Sequence, residues 1–439
     1  MTRRYKGFAP STCMEHSVHT KPPWIVPASQ WQRSILVTTP DIQYVPWTET
    51  ISVPLLTAKE RISRLEAMKR WELVKKMVNP YEIVYTHEDK FFHPSIAVIK
   101  PLSRSYFKMI EMAHVLELFE RLPRQQSKLR TAHVAEGPGG FIQAVVDLCE
   151  RNKKILQSSV AMTLKPTDQR VPGWRRASAF LHHHREVKLH YGADSTGDVY
   201  VQANQDSFVE AVAPGVHLFT ADGGFDFSVN YQIQEQRVFH LLVSSAITGL
   251  RCLLTDGAFV LKIFDMFSPS TQFLVTTISR CFKEWILYKP SLSRPCNSER
   301  YFLGRGFKGL PVSVYETLLR TQQEVLRDLY PIDTARPADP YFSAHIQANT
   351  DDQLAAIEKA EMYANRPEVW YTTQLPHDFQ KSLVWCERFH VPYKMTKPLD
   401  MSSIVPFQEY TSEPDAAQQS QLPGDDSSPL APCDPASQA

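Results

Sequence analysis

The sequence predicts an α/β fold: a doubly wound parallel sheet with an N-terminal and a C-terminal extension. Three observations lead to this class. Short apolar runs recur through the middle of the chain, and segments with helical periodicity separate them. Glycines or acidic residues directly follow several of these runs, as they do at the carboxyl ends of parallel strands. Alternating units of this kind build a parallel sheet with right-handed crossovers.

Composition and charge exclude several classes of protein. The 439 residues suffice for two or three domains, and no apolar run reaches the length of a membrane span. Because 48 Lys and Arg balance 47 Asp and Glu, nucleic acid would have to bind a local basic patch. The seven scattered cysteines form no C-x-x-C pair. They predict reduced thiols in an intracellular protein, of the nucleus or cytoplasm, without a metal site.

Changes in composition divide the chain into four regions. Residues 1–99 form an extension whose first part, rich in Pro and Trp, should run extended over another surface. Residues 100–310 hold the alternating units, and residues 311–410 form a mostly helical extension. Residues 411–439 contain no Lys or Arg and are rich in Pro, Ser, Gln and acid, which predicts a disordered acidic tail.

The first segment of the central region is an amphipathic helix at residues 103–119. Its apolar positions 107, 110, 115, 118 and 119 share one face, and Ser103 or Ser105 is suited to cap its N-terminus. Lys108 lies in its first turns. Taken alone, Lys108 reads as a solvated lysine.

A glycine-rich turn follows the next strand. The strand at residues 131–135 runs into Glu136-Gly137-Pro138-Gly139-Gly140-Phe141 and then into a helix. Glycines let the backbone approach a ligand, and a helix N-terminus offers N–H groups to a negative charge. The turn is not G-x-G-x-x-G and Pro138 lacks an N–H, so a carboxylate and a ribose fit better than a pyrophosphate. The alternative is a tight connection without a ligand.

Acidic residues follow two further strands. The strand at residues 187–192 leads to Asp194 and Asp198, and either carboxylate could bind ribose hydroxyls or an adenine amine. The strand at residues 216–221 ends in Asp222, which two glycines follow. A carboxylate in that position is where open α/β sheets carry their chemistry.

Lys262 stands inside the apolar strand at residues 257–264. A buried ammonium must pair with a carboxylate or release its proton. The alternative is a lysine at a strand end whose head reaches water. A polar loop at residues 293–301 follows, in which Asn297, Ser298 and Arg300 suit phosphate and ribose contacts, and Glu299 directly precedes a strand.

Two lysines and two acids should therefore meet at the carboxyl edge of the sheet: Lys108, Asp222, Lys262 and Glu299. This set suits the deprotonation of a weakly acidic hydroxyl. Burial and the charge of Lys108 would both lower the pKa of Lys262, so that its amine could accept a proton. Asp222 would orient that amine, and Glu299 would hold Lys108 or a substrate ribose.

The segments 136–141, 221–225, 261–264 and 293–301 resemble the RrmJ/FtsJ superfamily, and within it the eukaryotic and viral mRNA cap ribose 2'-O-methyltransferases. The resemblance covers roughly residues 100–310. It implies a Rossmann-like methyltransferase sheet that binds S-adenosylmethionine at the turn of residues 136–141, above all at Gly137, Gly139 and Gly140. Glu136, Pro138 and Phe141 complete the turn, Asp198 lies near the adenosine, and Asp222 is also a cofactor contact. The family's Lys-Asp-Lys-Glu tetrad corresponds to the two lysines and two acids above, with Lys100 as the rival of Lys108.

The resemblance further implies methyl transfer to a ribose 2'-OH of RNA, at the cap-proximal nucleotide of mRNA, with Lys262 as general base. Methylation of ribosomal or transfer RNA is one alternative, and a catalytically inactive subunit that binds RNA or a partner is another. The extensions could bind a protein partner. The aromatic side chains available for a cap are those of Trp24, Trp31, Trp47 and Tyr301.

Overall fold

The computed structural model describes residues 22–33, 40–49, 51–86, 92–122, 126–165, 173–224, 233–335 and 339–395. The predicted acidic tail at 411–439, most of the first extended segment and Phe225 lie outside the described residues. The predicted helical extension is described as far as residue 395.

The described residues contain ten strands: β1 (Gln32–Arg33), β2 (Ile42–Val45), β3 (Lys128–Val134), β4 (Ile155–Met162), β5 (Val187–His190), β6 (Val216–Ala221), β7 (Leu253–Ile263), β8 (Phe282–Tyr288), β9 (Arg300–Phe307) and β10 (Tyr330–Asp333). They also contain these α-helices: α1 (Val53–Ala67), α2 (Trp71–Met77), α3 (Ser105–Val115), α4 (Gly140–Arg151), α5 (Ser178–His183), α6 (Gln202–Ala211), α7 (Gln234–Cys252), α8 (Pro269–Ser279), α9 (Val312–Val325), α10 (Pro340–Asn365), α11 (Pro367–Val369) and α12 (Leu375–Arg388).

One eight-stranded sheet, in the order β1-β8-β9-β7-β6-β3-β4-β5, forms the centre of the fold. The α/β class is confirmed, but the expectation of a wholly parallel sheet is wrong. Strands β7, β6, β3, β4 and β5 pair in parallel, whereas β9 lies antiparallel between β7 and β8. The helical crossover from β7 leads to β8 and leaves space for one strand between them. Strand β9 fills that space and pairs with both neighbours.

The order of strands reverses at β3. The chain moves outward from β3 through β4 to β5, then returns to place β6 on the other side of β3. Ligands of open α/β sheets bind at the carboxyl ends of the strands beside such a reversal. The turn after β3 and the turn after β6 therefore lie at the favoured place for a site.

Both extensions pack onto the sheet and its helices. In the N-terminal extension, β1 adds to the outer edge of β8, and Trp24 contacts the rings of Tyr81 and Phe389. In the C-terminal extension, the expectation of helices misses one strand: β10 pairs antiparallel with β2. A single hydrophobic cluster includes residues from both extensions and from the central region.

Helix α3 is shorter and more buried than its sequence predicts. It covers Ser105–Val115, and Arg104 occupies the capping position; the hydroxyls of Ser103 and Ser105 bond to each other at 2.5 Å. Nearly every side of the helix is buried, because the C-terminal extension covers a second face and Trp385 packs against Phe107.

The five described cysteines, Cys149, Cys252, Cys281, Cys296 and Cys386, are free thiols and buried. Within the described ranges, no helix combines the length and apolar character needed to cross a membrane. Over the same ranges, His, Cys, Asp and Glu side chains form no group that could hold a metal ion.

Candidate active site

The ends of three parallel strands lie side by side at one edge of the sheet. Val134 of β3 pairs with Ala221 of β6, and Ala221 pairs with Leu261 of β7. The next residues along β6 and β7 are Asp222 and Lys262. The register therefore brings these two side chains together beside the turn that leaves β3, as predicted.

Strand β9 brings Glu299 to the same edge from the opposite direction. Because β9 is antiparallel to β7, Tyr301 lies opposite Lys262, and Glu299 comes just before the first residue of β9. Side chains two residues apart in an extended chain point to the same face. Glu299 and Tyr301 therefore share the face of Lys262.

The first ion pair joins Lys262 and Asp222. Nζ of Lys262 lies 3.2 Å from Oδ1 of Asp222, and both side chains are largely buried. The hydroxyl of Tyr301 donates to the same Oδ1 at 2.8 Å. Asp222 is thus held by two neighbours and in turn orients the amine of Lys262.

The second ion pair joins Lys108 and Glu299. Nζ of Lys108 lies 2.6 Å from Oε1 of Glu299, and the exposed fractions of the two side chains are 13% and 9%. Lys100, the rival in the sequence, is exposed to solvent. The geometry favours Lys108 as the first lysine of the set.

Electrostatics at this edge differ from the expectation in one respect. Burial lowers the pKa of Lys262, but the charges of Asp222 and Glu299 and the hydrogen bond to Asp222 outweigh burial, and the net shift is upward. The prediction of a lowered pKa for Lys262 is wrong because it counted burial and Lys108 and omitted the nearby carboxylates. Lys262 is therefore an ammonium in the protein alone.

The carboxyl group of Glu299 is shifted in the complementary direction. Burial would raise its pKa, but the ammonium groups of Lys108 and Lys262 lower it to about 2. The site therefore holds fully charged pairs.

The glycine turn after β3 requires glycine at two positions. Gly139 has φ of +101°, a conformation that other residues rarely adopt. A Cβ on Gly140 would come within 2.2 Å of the hydroxyl oxygens of Ser103 and Ser105. Helix α4 begins at Gly140 without a side-chain cap, so the N–H groups of its first turn remain available to a carboxylate. This cradle fits the methionine end of S-adenosylmethionine.

The turn after β6 lies between the glycine turn and Lys262. A Cβ on Gly224 would lie 3.3 Å from Nζ of Lys262, and one on Gly223 would lie 2.9 Å from Cβ of Ala135. Glycines here let the backbone pass close to both groups, so a ligand at the glycine turn would lie beside the amine.

Two of the predicted cofactor residues point their side chains inward. Glu136 accepts a hydrogen bond from Thr220 and lies 3.3 Å from Nδ1 of His133; burial raises the pKa of its carboxyl group. Phe141 is 1% exposed and packs against Tyr301. Both side chains support the turn from within the core, so any contact of Glu136 or Phe141 with a cofactor would be through the main chain. The six residues of the turn stay predicted cofactor contacts.

The two acidic candidates after β5 differ in environment. Asp194 is exposed, and its carboxylate accepts hydrogen bonds from N and Oγ1 of Thr196, which closes its own loop. Asp198 is half-buried and accepts only from N of Tyr200, at 2.8 Å, among the hydrogen bonds of the described chain. Asp198 therefore keeps more of its capacity for a ligand.

The predicted substrate residues also differ in how far they are buried. Asn297 is exposed at the mouth of the site, and Ser298 is buried. Arg300 is 7% exposed, and its Nη2 donates to Oδ1 of Asn349 at 3.0 Å. Successive strand residues alternate between faces, and Arg300 lies on the face opposite Tyr301. A substrate contact of Arg300 stays a prediction, and this side chain is less suited to it than Asn297.

The aromatic candidates for a cap are mostly part of the core. Trp24, Trp31 and Tyr301 are buried, and Trp31 stacks on Arg305, whose guanidinium lies 3.7 Å from the ring centroid. Trp47 packs against Phe239 and Tyr330. The rings of Trp24, Trp31 and Tyr301 are therefore occupied by core contacts, and Trp47 is half-buried.

Two residues that the sequence reasoning missed also lie at this edge. The hydroxyl of Tyr301 holds Asp222, and strand alternation from Glu299 could have indicated this. Lys289 is the second; it ends the apolar run 285–288 much as Lys262 interrupts its own strand, and the same signal could have identified it.

Comparison with known proteins agrees with this geometry. Residues 101–307 match the model of the FtsJ-like methyltransferase family. Residues 101–307 are therefore similar to an FtsJ-like methyltransferase domain. The match confirms the predicted class, its Rossmann-like α/β fold and, with the class, S-adenosylmethionine as cofactor. The residues that hold the cofactor remain a prediction.

The curated relatives carry one name, cap-specific mRNA (nucleoside-2'-O-)-methyltransferase 1. The Xenopus laevis protein is 30% identical over 280 residues, which are 59% of this chain and 30% of that protein. The Homo sapiens protein is 32% identical over 263 residues, with 55% and 29% covered. The Danio rerio protein is 27% identical over 317 residues, with 65% and 36% covered. The chain thus spans about a third of the length of these relatives.

Among solved structures, an rRNA methylase from Streptococcus thermophilus superposes with a TM-score of 0.28 at 12% identity. The superposition covers 48% of this chain and 99% of that one. This likeness is too low to add to the argument, which depends on the strand order and the domain match.

Proposed function

We propose that this protein methylates the ribose 2'-OH of RNA, at the cap-proximal nucleotide of an mRNA 5' end. The observation that carries the proposal is the convergence of two ion pairs, Lys262–Asp222 and Lys108–Glu299, beside the glycine turn. The name of the curated relatives supports the choice of RNA class. Such a substrate places the protein in the nucleus or the cytoplasm.

The proposed reaction needs one proton acceptor and accurate positioning. S-adenosylmethionine, when bound, supplies a methyl group on a cationic sulfur. Bound at the glycine turn, it would give up this methyl group to the ribose oxygen and leave as a neutral thioether. Nζ of Lys262, in its neutral form, would accept the proton of the ribose hydroxyl. A positioned general base contributes about 10²–10⁴-fold to the rate of such a step.

Lys262 must be neutral to accept that proton, although it is charged in the protein alone. The cationic sulfur of S-adenosylmethionine, placed beside Lys262, would lower the pKa of its amine. Asp222 can keep the neutral amine oriented. Transfer should therefore accelerate as the pH rises through the neutral range, because the neutral fraction of Lys262 grows.

Lys108 and Glu299 have supporting roles in this proposal. Glu299 accepts from Lys108 and faces the ribose side of the site, close to the exposed Asn297. The carboxylate can accept a hydrogen bond from a ribose hydroxyl, while Lys108 keeps it ionised.

Methyl transfer from radiolabelled S-adenosylmethionine to four RNAs tests the proposal. The substrates are a capped mRNA 5' fragment, the same fragment without a cap, ribosomal RNA and transfer RNA. Label on the capped fragment alone is the expected result. Label on ribosomal or transfer RNA would replace the cap assignment, and RNA binding without transfer to any substrate would indicate an inactive RNA-binding subunit.

A further inference from the structure

The loop at residues 289–299 carries Glu299 into the site but contains no regular secondary structure. It joins the adjacent antiparallel strands β8 and β9, and most of its side chains are buried. A buried loop needs partners for its backbone polar groups. Those partners decide where the carboxylate of Glu299 stands.

The first half of the loop is anchored by helix α3 and the residue before it. N and Oγ of Ser291 donate to Oε1 of Glu111, at 2.8 and 3.0 Å. Nη2 of Arg104 donates to the carbonyl oxygen of Leu292 at 2.7 Å. These contacts end at Leu292, five residues before Asn297.

The second half of the loop is held by Lys289. Its Nζ lies 2.8 Å from the carbonyl oxygen of Asn297, 3.0 Å from Oδ1 of Asn297 and 3.0 Å from the carbonyl oxygen of Glu299. It also lies 3.2 Å from Oγ of Ser293. In its protonated form the amine has three N–H donors, and these four oxygens engage all of them. Burial lowers the pKa of Lys289 to about 7, so these contacts are complete below that pH and weaken above it. Arg294 also anchors this half through Glu82, but one amine at the start of the loop holds the main-chain oxygens of both Asn297 and Glu299.

Lys289 acts on Glu299 in two ways. It binds the main-chain oxygen of Glu299 directly, and its positive charge helps to lower the pKa of the Glu299 carboxyl group, after the larger effects of Lys108 and Lys262. Among the described contacts Lys289 shares no hydrogen bond with Lys108, Asp222 or Lys262, so it reaches the site through Asn297 and Glu299.

We propose that Lys289 is a positioning residue that sets the place of Glu299 relative to Lys108 and Lys262. This inference rests on the proposed methyl transfer. Displacement of a reacting or supporting group by about 1 Å can cost about 10²-fold in rate. Loss of Lys289 should therefore lower kcat while the glycine turn, on the other side of Lys262, still binds cofactor.

The test is a double-mutant cycle with Lys289→Met and Glu299→Gln, measured as kcat for methyl transfer and as the Kd for S-adenosylmethionine. Lys289→Met alone should lower kcat about 10- to 100-fold, with cofactor Kd within about threefold. In the Glu299→Gln background it should lower kcat less than about threefold, because its target is already absent. Lys283→Met is the matched control: this lysine is on β8, the strand that precedes the loop, and it is exposed and paired with Asp256.

Equal losses of kcat in both backgrounds would show a merely structural role and overturn the inference. Hydrogen exchange at the amides of residues 297–299 gives a second measurement that does not need activity. Exchange there should be faster in Lys289→Met and unchanged in Lys283→Met; unchanged exchange in Lys289→Met would also overturn it. If the wild-type protein methylates no RNA, the proposed function fails, while the exchange result still decides whether Lys289 holds the loop.

Discussion

Glu299 and Glu111 both carry buried carboxyl groups, yet their pKa values shift in opposite directions. Glu111 lies on α3 and anchors the start of the loop at residues 289–299, and Glu299 is the last residue of that loop. Burial would raise both pKa values. Lys108 and Lys262 reverse the effect at Glu299 and lower its pKa to about 2. Glu111 receives hydrogen bonds from Trp385, Tyr288 and Ser291, and its pKa stays raised.

The difference shows what each carboxylate is suited to do. At Glu111 the neutral donors offset the desolvation only in part, whereas at Glu299 the two cations outweigh it. Glu299 therefore carries a full charge to the edge of the sheet where the two lysines stand. Glu111 joins α3 to α12 through Nε1 of Trp385, at 2.6 Å, and so ties the C-terminal extension to the helix that carries Lys108.

Substitution of the general base should give the largest effect. Lys262→Met keeps most of the side-chain volume and removes the amine, so kcat should fall about 10²–10⁴-fold while cofactor binding changes little. Steady-state kinetics and calorimetric titration with S-adenosylmethionine measure the two quantities. Normal turnover by Lys262→Met would remove Lys262 from the role of base.

Glu299→Gln should give the next largest effect, on activity. The amide cannot balance the charges of Lys108 and Lys262, and we expect kcat to fall about 10- to 100-fold. Because Glu299 raises the pKa of Lys262, its loss should also move the rise of the pH–rate profile to lower pH. A profile that stays in place, or moves to higher pH, would contradict the assigned coupling.

Glu111→Gln should act on stability instead. Whichever way the amide faces, its NH2 group meets N–H of Trp385 or of Ser291, and one buried donor loses its acceptor. The free energy of unfolding should fall by about 1–3 kcal/mol, as urea unfolding would measure, with kcat within about threefold. Glu120→Gln, at an exposed position after α3, is the control and should change stability by less than about 0.5 kcal/mol. A fall in kcat as large as that expected for Glu299→Gln would contradict the separate roles of the two carboxylates.

The smallest effect concerns the pH dependence of stability. Glu235 is buried and accepts from N of Phe267 and N of Ser268, and burial raises its pKa to about 8. A folded-state pKa above the usual value of Glu means that the folded protein favours the protonated form of Glu235. The contribution of this protonation to stability is therefore full below about pH 4.5 and is lost as the pH rises through 8. Glu299 has the opposite sign: its contribution is present above about pH 4.5 and is lost as the pH falls toward 2.

Urea unfolding of wild type and Glu235→Gln between pH 4 and pH 9 isolates the first of these contributions. The variant should lose less stability than the wild type as the pH rises across that range. Parallel curves would mean that Glu235 does not titrate as its burial indicates.

The sequence reasoning succeeded where local pattern decides the structure. Strand runs, glycine turns and the positions of Asp222 and Lys262 follow from periodicity and from residues that need special backbone conformations. It failed where distant segments decide. The place of β9 depends on a gap left by a crossover, and β10 exists because β2, nearly 300 residues earlier, pairs with it. The charge of Lys262 depends on its distances to the carboxylates of Asp222 and Glu299. The spacing of these residues along the chain does not determine those distances.

The most direct test of the central claim is single-turnover methyl transfer to capped RNA in which the ribose 2'-OH groups of the cap-proximal nucleotides are replaced by hydrogen. If Lys262 takes a proton from a ribose hydroxyl, transfer to the deoxy-substituted RNA should disappear while its binding persists. Equal transfer to the two RNAs would place the methyl group elsewhere and contradict the account.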